Sequence, residues 1–215
     1  MRTELVFILD RSGSMTGLES DTIGGFNAML SKQKEAPGEA VVTTALFDDR
    51  YELLHDRIAL AGISPITADD YNTRGSTALL DAVGRTIGKI GNAQQRTSGE
   101  LKADKVLFVI TTDGLENASR EFSYPKIKAL IEAKKEEGWE FLFMGANIDA
   151  AQVAADIGID RSRAVDYVAD SRGTKLTYET MNEAVLTMRR SGTIEDGWRE
   201  DLKEDHRKRG GGKKD

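Results

Sequence analysis

The chain has 215 residues, 31% charged and 39% hydrophobic, and a formal charge of −6, which makes a single α/β domain with a sizeable core the default. Cysteine is absent, so disulfides and thiolate metal sites are excluded and a reducing compartment is the natural setting. No apolar run approaches the ~20 residues of a membrane span, the N-terminus carries no signal-peptide pattern, and an acidic body argues against nucleic acid as main partner; the expectation is a cytoplasmic protein.

Strands alternate with helices along the chain, the signature of a doubly wound sheet. The apolar run Leu5-Val6-Phe7-Ile8-Leu9 predicts a strand from Glu4 to Asp10. Asp10 stands at its end, and Ser12 and Ser14 follow in a tight turn. One charged and two neutral oxygen ligands are thus offered at a sheet edge. Hard cations such as Mg²⁺ take oxygen ligands and keep several waters. With so few carboxylates the cation stays under-neutralised and seeks another anion, which a partner protein can supply.

A helix from Leu18 to Glu35 follows, with Ile23, Phe26, Asn27 and Leu30 at 3–4 spacing; Pro37-Gly38 stops it. Ala40 to Phe47 is the second strand. Asp48-Asp49-Arg50 turns the chain, and Tyr51 to Asp56 returns as an antiparallel edge strand, because so short a connection holds no crossover helix. A loop containing Pro65 leads to Gly75-Ser76-Thr77. The helix it opens runs from Ala78 to Ile90 on apolar Leu79, Leu80, Val83, Ile87 and Ile90. A polar connection covers 92–103, and the strand Lys105 to Thr112 then delivers Asp113-Gly114. Further on come a helix from Tyr124 to Glu137, a strand from Trp139 to Met144 and a short helix from Ala150 to Ile157. A sixth strand, Ala164 to Tyr167, and a last helix, Thr177 to Arg190, complete the domain, taken as residues 1–195. Residues 196–215 read as a polar, basic tail: no apolar residue follows Leu202, so it is expected to be disordered.

Ligands of such sheets bind beyond the carboxyl ends of strands, where strand order reverses. Asp10 and Asp113 both stand at strand ends, and Thr77 opens a helix at the same edge. Taken singly, each has a plainer reading: Asp10 and Asp113 as turn residues, Ser12, Ser14 and Thr77 as helix N-caps. Taken together, Asp10-Arg11-Ser12-Gly13-Ser14, Gly75-Ser76-Thr77 and Thr112-Asp113-Gly114 resemble the von Willebrand factor A domain and its metal-ion-dependent adhesion site. The resemblance covers about residues 3–190. It implies an α/β fold: a doubly wound, mostly parallel central sheet with one antiparallel edge strand and helices on both faces. It also implies a metal site of Asp10, Ser12, Ser14, Thr77 and Asp113, with Mg²⁺ as cation and Mn²⁺ or Ca²⁺ as alternatives. The partner it implies is a protein offering a Glu or Asp to the metal. In overall type the chain is similar to small stand-alone intracellular bacterial members, some of which accompany stress and tellurium-resistance systems.

Five more residues stand near the same edge. Asp48 is either a turn residue or part of the site's rim. Asp81, one turn after Thr77, either shares the site's helix face or complements the helix dipole. Thr112 is a polar neighbour of Asp113. Asn147 and Asp149 follow the fifth strand and either line the rim or, for Asp149, cap a helix.

Enzyme readings lack parts. The two histidines, His55 and His206, are not placed as bases beside Ser12 or Ser14, and there is no phosphate-binding Gly-rich loop ending in Lys-Ser/Thr. Ser12 stands where an aspartyl phosphotransferase of the haloacid dehalogenase type needs an acid. The expectation is therefore a non-enzymatic protein that recognises a partner. The alternatives are a metal-dependent hydrolase of phosphate or acyl esters, with Asp48 or Asp113 as base, and a scaffold with a structural metal.

Overall fold

The computed structural model describes residues 1–97 and 99–209. Its strands are β1 (Arg2–Asp10), β2 (Glu39–Phe47), β3 (Tyr51–Ala59), β4 (Lys105–Thr112), β5 (Glu140–Ala146) and β6 (Ala164–Tyr167), in one sheet of order β3-β2-β1-β4-β5-β6. Every neighbouring pair is parallel except β2 with β3. The helices are α1 (Glu19–Glu35), α2 (Leu79–Arg96), α3 (Tyr124–Glu136), α4 (Ala150–Asp156), α5 (Ser171–Ser191) and α6 (Glu200–Arg209).

The sheet has a core on each face. Side chains alternate along a strand, so Leu5, Phe7 and Leu9 of β1 join the layer under α1 and α5, while Val6 and Ile8 join the layer under α2, α3 and α4. All five are fully buried, which is why β1 reads as an unbroken apolar run. Each contributes roughly 1.5–3 kcal/mol of burial. Glu4 directly precedes this run, and it too is fully buried. Arg57 Nε donates to both its oxygens at 3.0 Å, and Gln94 donates at 2.9 Å.

On the other face α1 and α5 approach closely. A Cβ on Gly25 would lie 2.4 Å from the Tyr178 ring, so only glycine fits there. The buried Arg189 of α5 donates to the carbonyls of Gln33 at 2.6 Å and Gly38 at 2.9 Å. It thereby satisfies backbone acceptors at the end of α1 that the helix itself leaves open.

Several boundaries differ from the sequence reading. Helix α2 runs on to Arg96, past the expected Ile90, because buried Gln94 turns its amide to Glu4, a polar contact that apolar spacing does not register. Helix α5 begins at Ser171, well before Thr177. Asp170 caps it by accepting the Gly173 N–H at 2.7 Å. The expected disorder from 196 onward does not hold over 200–209, where α6 forms. Its Leu202 is fully buried in the α1/α5 layer, and Arg209 binds Asp205 and Asp170. One apolar residue and one ion-pair cluster dock a segment that its composition alone leaves unstructured. Residues 210–215 of that tail lie outside the described residues.

If α6 belongs to the cooperative fold, Leu202→Ala should lower unfolding stability by about 2–3 kcal/mol in urea titration; an unchanged midpoint would mean that α6 is an independent appendage.

Candidate metal centre

Strand order reverses between β1 and β4, since the chain leaves β1 toward β2 on one side and β4 toward β5 on the other. The crevice beyond their carboxyl ends is therefore the topological switch point. Asp10 ends β1 and Asp113 follows β4; they are 1% and 2% exposed. A single turn, Gly13–Met15, follows Ser12.

Asp10 is held at both oxygens. Oδ1 accepts the Ser12 N–H at 2.7 Å, and Oδ2 accepts the Thr112 hydroxyl at 2.6 Å. The Tyr71 hydroxyl donates to the Asp10 carbonyl. Asp113 is held at one oxygen only: Oδ1 accepts the Ser14 hydroxyl, while Oδ2 is buried without a partner among the described residues. The Ser12 and Ser14 hydroxyls lie 3.0 Å apart. Thr77 arrives from the far side of Gly114. A Cβ at that glycine would sit 3.5 Å from the Ser14 hydroxyl and 3.6 Å from the Thr77 hydroxyl.

Backbone bonds lace the two loops together. Gly13 N–H donates to Gly75 C=O at 3.1 Å and Arg74 N–H to Arg11 C=O at 2.9 Å. The Thr77 N–H donates to Asn117 Oδ1 at 2.9 Å, and the Thr77 carbonyl accepts from the N–H groups of Asn117 and Ala118. The sequence-proposed residues Asp10, Ser12, Ser14, Thr77 and Asp113 thus converge on one crevice.

Burial raises the Asp10 carboxyl, against the hydrogen bonds from Ser12 and Thr112. Burial also pushes Asp113 up to about 6; the Ser14 hydroxyl opposes this and the Asp10 charge adds to it. The two buried carboxyls are thus near enough for the Asp10 charge to act on Asp113, and among the described residues neither is in a salt bridge. A buried carboxylate oxygen without a partner calls for a ligand. The donors gathered here are carboxylate and hydroxyl oxygens without nitrogen or sulfur, a set that suits a hard divalent cation. Among the described residues no group of three or more His, Cys, Asp or Glu side chains could hold a metal; the centre is instead two carboxylates and three hydroxyls.

The remaining candidates divide. Thr112 bonds Asp10 directly. Asn147, at φ 57°, sets its amide 3.5 Å from the Asp113 carbonyl, at the rim. Asp149 caps α4 by accepting the Gln152 N–H at 2.8 Å. Asp81 faces away and accepts the N–H groups of Arg120, Glu121 and Phe122 at 2.9–3.0 Å. Burial raises its carboxyl, but those amides prevail and hold it below the usual range.

Asp48 is not on the rim either. It is fully buried, with Oδ2 shared by Arg11 Nε at 3.1 Å and Arg74 Nε at 2.8 Å. Its carbonyl accepts the Ala78 N–H at 2.9 Å, next to Thr77. Asp48 thus clamps the loop after β1 to the loop before α2. Burial pushes its carboxyl up, but the Arg74 and Arg50 hydrogen bonds and the Arg11 charge outweigh burial and hold it low. Arg11, Arg74, Tyr71, Asn117 and Glu116, whose Oε2 accepts the Leu80 N–H at 2.9 Å, were not singled out in the sequence. A signal existed for one of them, since Arg11 lies inside the Asp-x-Ser-x-Ser run as a charge in a segment about to be buried.

No protein-family model matches the sequence, and no curated protein matches it as a relative. Solved structures share its fold. The von Willebrand factor domain of the type V pilus tip protein Mfa5 from Porphyromonas gingivalis aligns over 90% of this chain and 98% of its own, with TM-score 0.62 and 12% identity. The pilus adhesin SpaC from Lactobacillus rhamnosus GG aligns over 87% of this chain and 30% of its own, with TM-score 0.66 and 12% identity. Proximal thread matrix protein 1 from the mussel byssus, solved with a zinc-occupied metal-ion-dependent adhesion site motif, aligns over 86% and 46%, with TM-score 0.55 and 14% identity. The chain thus spans less than half the length of the last two. At these identities the likeness shows the fold, that of the von Willebrand A domain.

Removing the Asp48 charge leaves buried Arg11 with only the half-exposed Glu52, at 2.8 Å, as counter-ion and takes the shared carboxylate from Arg74, so Asp48→Asn should cost up to roughly 3 kcal/mol in urea unfolding at neutral pH. A carboxyl held low in the folded state stabilises fully above its unfolded value, about pH 4, and loses that contribution as pH falls through the folded value. The gap between parent and variant should therefore narrow below about pH 4; a gap that widens on acidification would refute the clamp.

Proposed function

We propose that this von Willebrand A fold binds one divalent cation at Asp10, Ser12, Ser14, Thr77 and Asp113, and through it recognises a carboxylate of a protein partner. Mg²⁺ is the cation favoured, with Mn²⁺ and Ca²⁺ as alternatives. The supporting observation is the unpartnered, buried Asp113 Oδ2 beside the clustered Ser12, Ser14 and Thr77 hydroxyls. The zinc-occupied motif of the mussel protein lends the reading weight from outside. A cation bound here supplies concentrated positive charge with room for an incoming anionic oxygen. The residues divide the remaining work. Ser12, Ser14 and Thr77 would offer neutral lone pairs that add no negative charge to that of Asp10 and Asp113. Asp10, fixed by Thr112 and the Ser12 amide, keeps its loop in register. Asp48 and Asn117 hold the backbone on either side of Thr77.

The hydrolase alternative gains no support from the histidines. His55 shares a hydrogen bond with Thr44 within the sheet, and His206 lies on α6. A cytoplasmic setting remains part of the proposal and rests on the cysteine-free sequence. No helix among the described residues is long and apolar enough to cross a membrane.

Ligand linkage gives about 2.7 kcal/mol at a hundredfold excess over Kd, so Mg²⁺ should raise the melting temperature of the parent and leave Asp10→Ala unmoved. Equal shifts in both would sink the assigned site. A partner captured from native lysate in Mg²⁺ should elute in chelator, and Thr77→Ala should weaken capture while preserving cooperative melting. In the same preparations, hydrolysis of generic phosphate and acyl esters should stay at background; turnover lost in Asp113→Ala would promote the hydrolase instead.

A further inference from the structure

A polar cavity of about 680 Å³ adjoins the candidate metal centre. Two of its lining residues tie it to that centre. Ser76 directly precedes Thr77, and Asn117 accepts the Thr77 N–H. Its charged lining comprises Arg50, Arg85, Arg120, Asp49, Asp81 and Glu121. Formal charges balance, so what decides the chemistry is which groups are already engaged.

Both Asp81 oxygens are taken by three backbone N–H groups. Both Glu121 oxygens are taken by Arg85, at 2.9 and 2.5 Å. Among the described residues, the groups left over are almost all donors: the exposed guanidiniums of Arg50 and Arg120, the Ser76 hydroxyl and the Asn117 amide N–H₂. Asp49 is the one lining acid left without a partner. A donor surplus that includes two arginines suits an anion, and guanidinium matches a carboxylate in two-point fashion.

The geometry points to a second carboxylate subsite in this cavity, so that the partner is a doubly acidic segment. One acidic side chain enters the metal centre, and another is held by Arg50 and Arg120. Arg85, which lines the cavity, stands about 9 Å along α2 from its first residue, Leu79, at 1.5 Å per residue. An extended peptide crosses a cavity of that order in about four residues, which bounds the separation of the two acids. The inference rests on the metal-dependent recognition proposed above and narrows its partner.

The test uses two short synthetic peptides, capped at both ends and otherwise uncharged. One carries two glutamates about four positions apart, and the other has the second glutamate replaced by glutamine. Each is titrated by NMR into the full chain in Mg²⁺. The two-glutamate peptide should bind about tenfold tighter. That advantage should vanish in the Arg50→Ala/Arg120→Ala double variant, which should keep the Mg²⁺-dependent rise in melting temperature. Equal affinities in the parent, or an advantage that survives in the double variant, would overturn the subsite alone; no binding of either peptide to a chain that responds to Mg²⁺ would overturn carboxylate recognition at the metal and the subsite with it. A parent whose melting ignores Mg²⁺ would overturn the metal-dependent reading with it.

Discussion

Burial of the central strand on both faces governs this molecule. Strand β1 lies between β2 and β4 with helices above and below, and water reaches neither of its acidic residues, Glu4 or Asp10. A buried carboxylate costs several kcal/mol unless it is paired or hydrogen-bonded. The fold solves the two cases differently. Glu4 is matched by a cation, Arg57, and by the Gln94 amide. Among the described residues Asp10 receives neutral donors, the Ser12 amide and the Thr112 hydroxyl. One end of the strand is thus electrically closed within the protein. The other is left short of positive charge, and Asp113 beside it deepens the shortfall. That asymmetry is the physical basis for reading the carboxyl end of β1 as a cation site.

Around that deficit the surrounding acids are spent on architecture. Asp48 holds Arg11 and Arg74, Asp81 gathers three consecutive amides, and Glu116 and Asn117 fasten the N–H groups at the start of α2. Each fixes backbone that carries a site hydroxyl or the loop next to one. Supporting contacts of this kind keep oxygen ligands in place before any ligand arrives. They also explain why a crevice rich in acids presents so few free ones. The carboxylates nearest the centre are committed, and the adjoining cavity is left with spare donors.

The opposite face is held by a different device. Arg189 sits buried among carbonyl oxygens at the end of α1, without a salt bridge among the described residues, and desolvation lowers its pKa from the usual value. The negative end of the α1 dipole and its open carbonyls take the place of a counter-ion. With Gly25 giving way to Tyr178 and Leu202 sealing the edge, α1, α5 and α6 form one packed layer beneath the sheet.

By itself the sequence determined the alternation of strands and helices, the antiparallel return after Asp48-Asp49-Arg50, and the five oxygen-bearing residues that share one edge. These are legible because strand and helix periods act over a few residues and because strand ends announce where a parallel sheet opens. The tertiary structure alone decided what the other polar residues do. Along the chain Asp48 reads as turn or rim and Asp81 as site neighbour or helix-dipole partner; each is in fact consumed by donors from distant loops. Asp149 takes up helix capping rather than the rim, and Leu202 turns an apparently structureless tail into a docked helix. Local pattern shows which face of an element is apolar. The partner of a buried polar group is set by whatever segment the fold brings alongside it, and that is fixed only when the strands take their order.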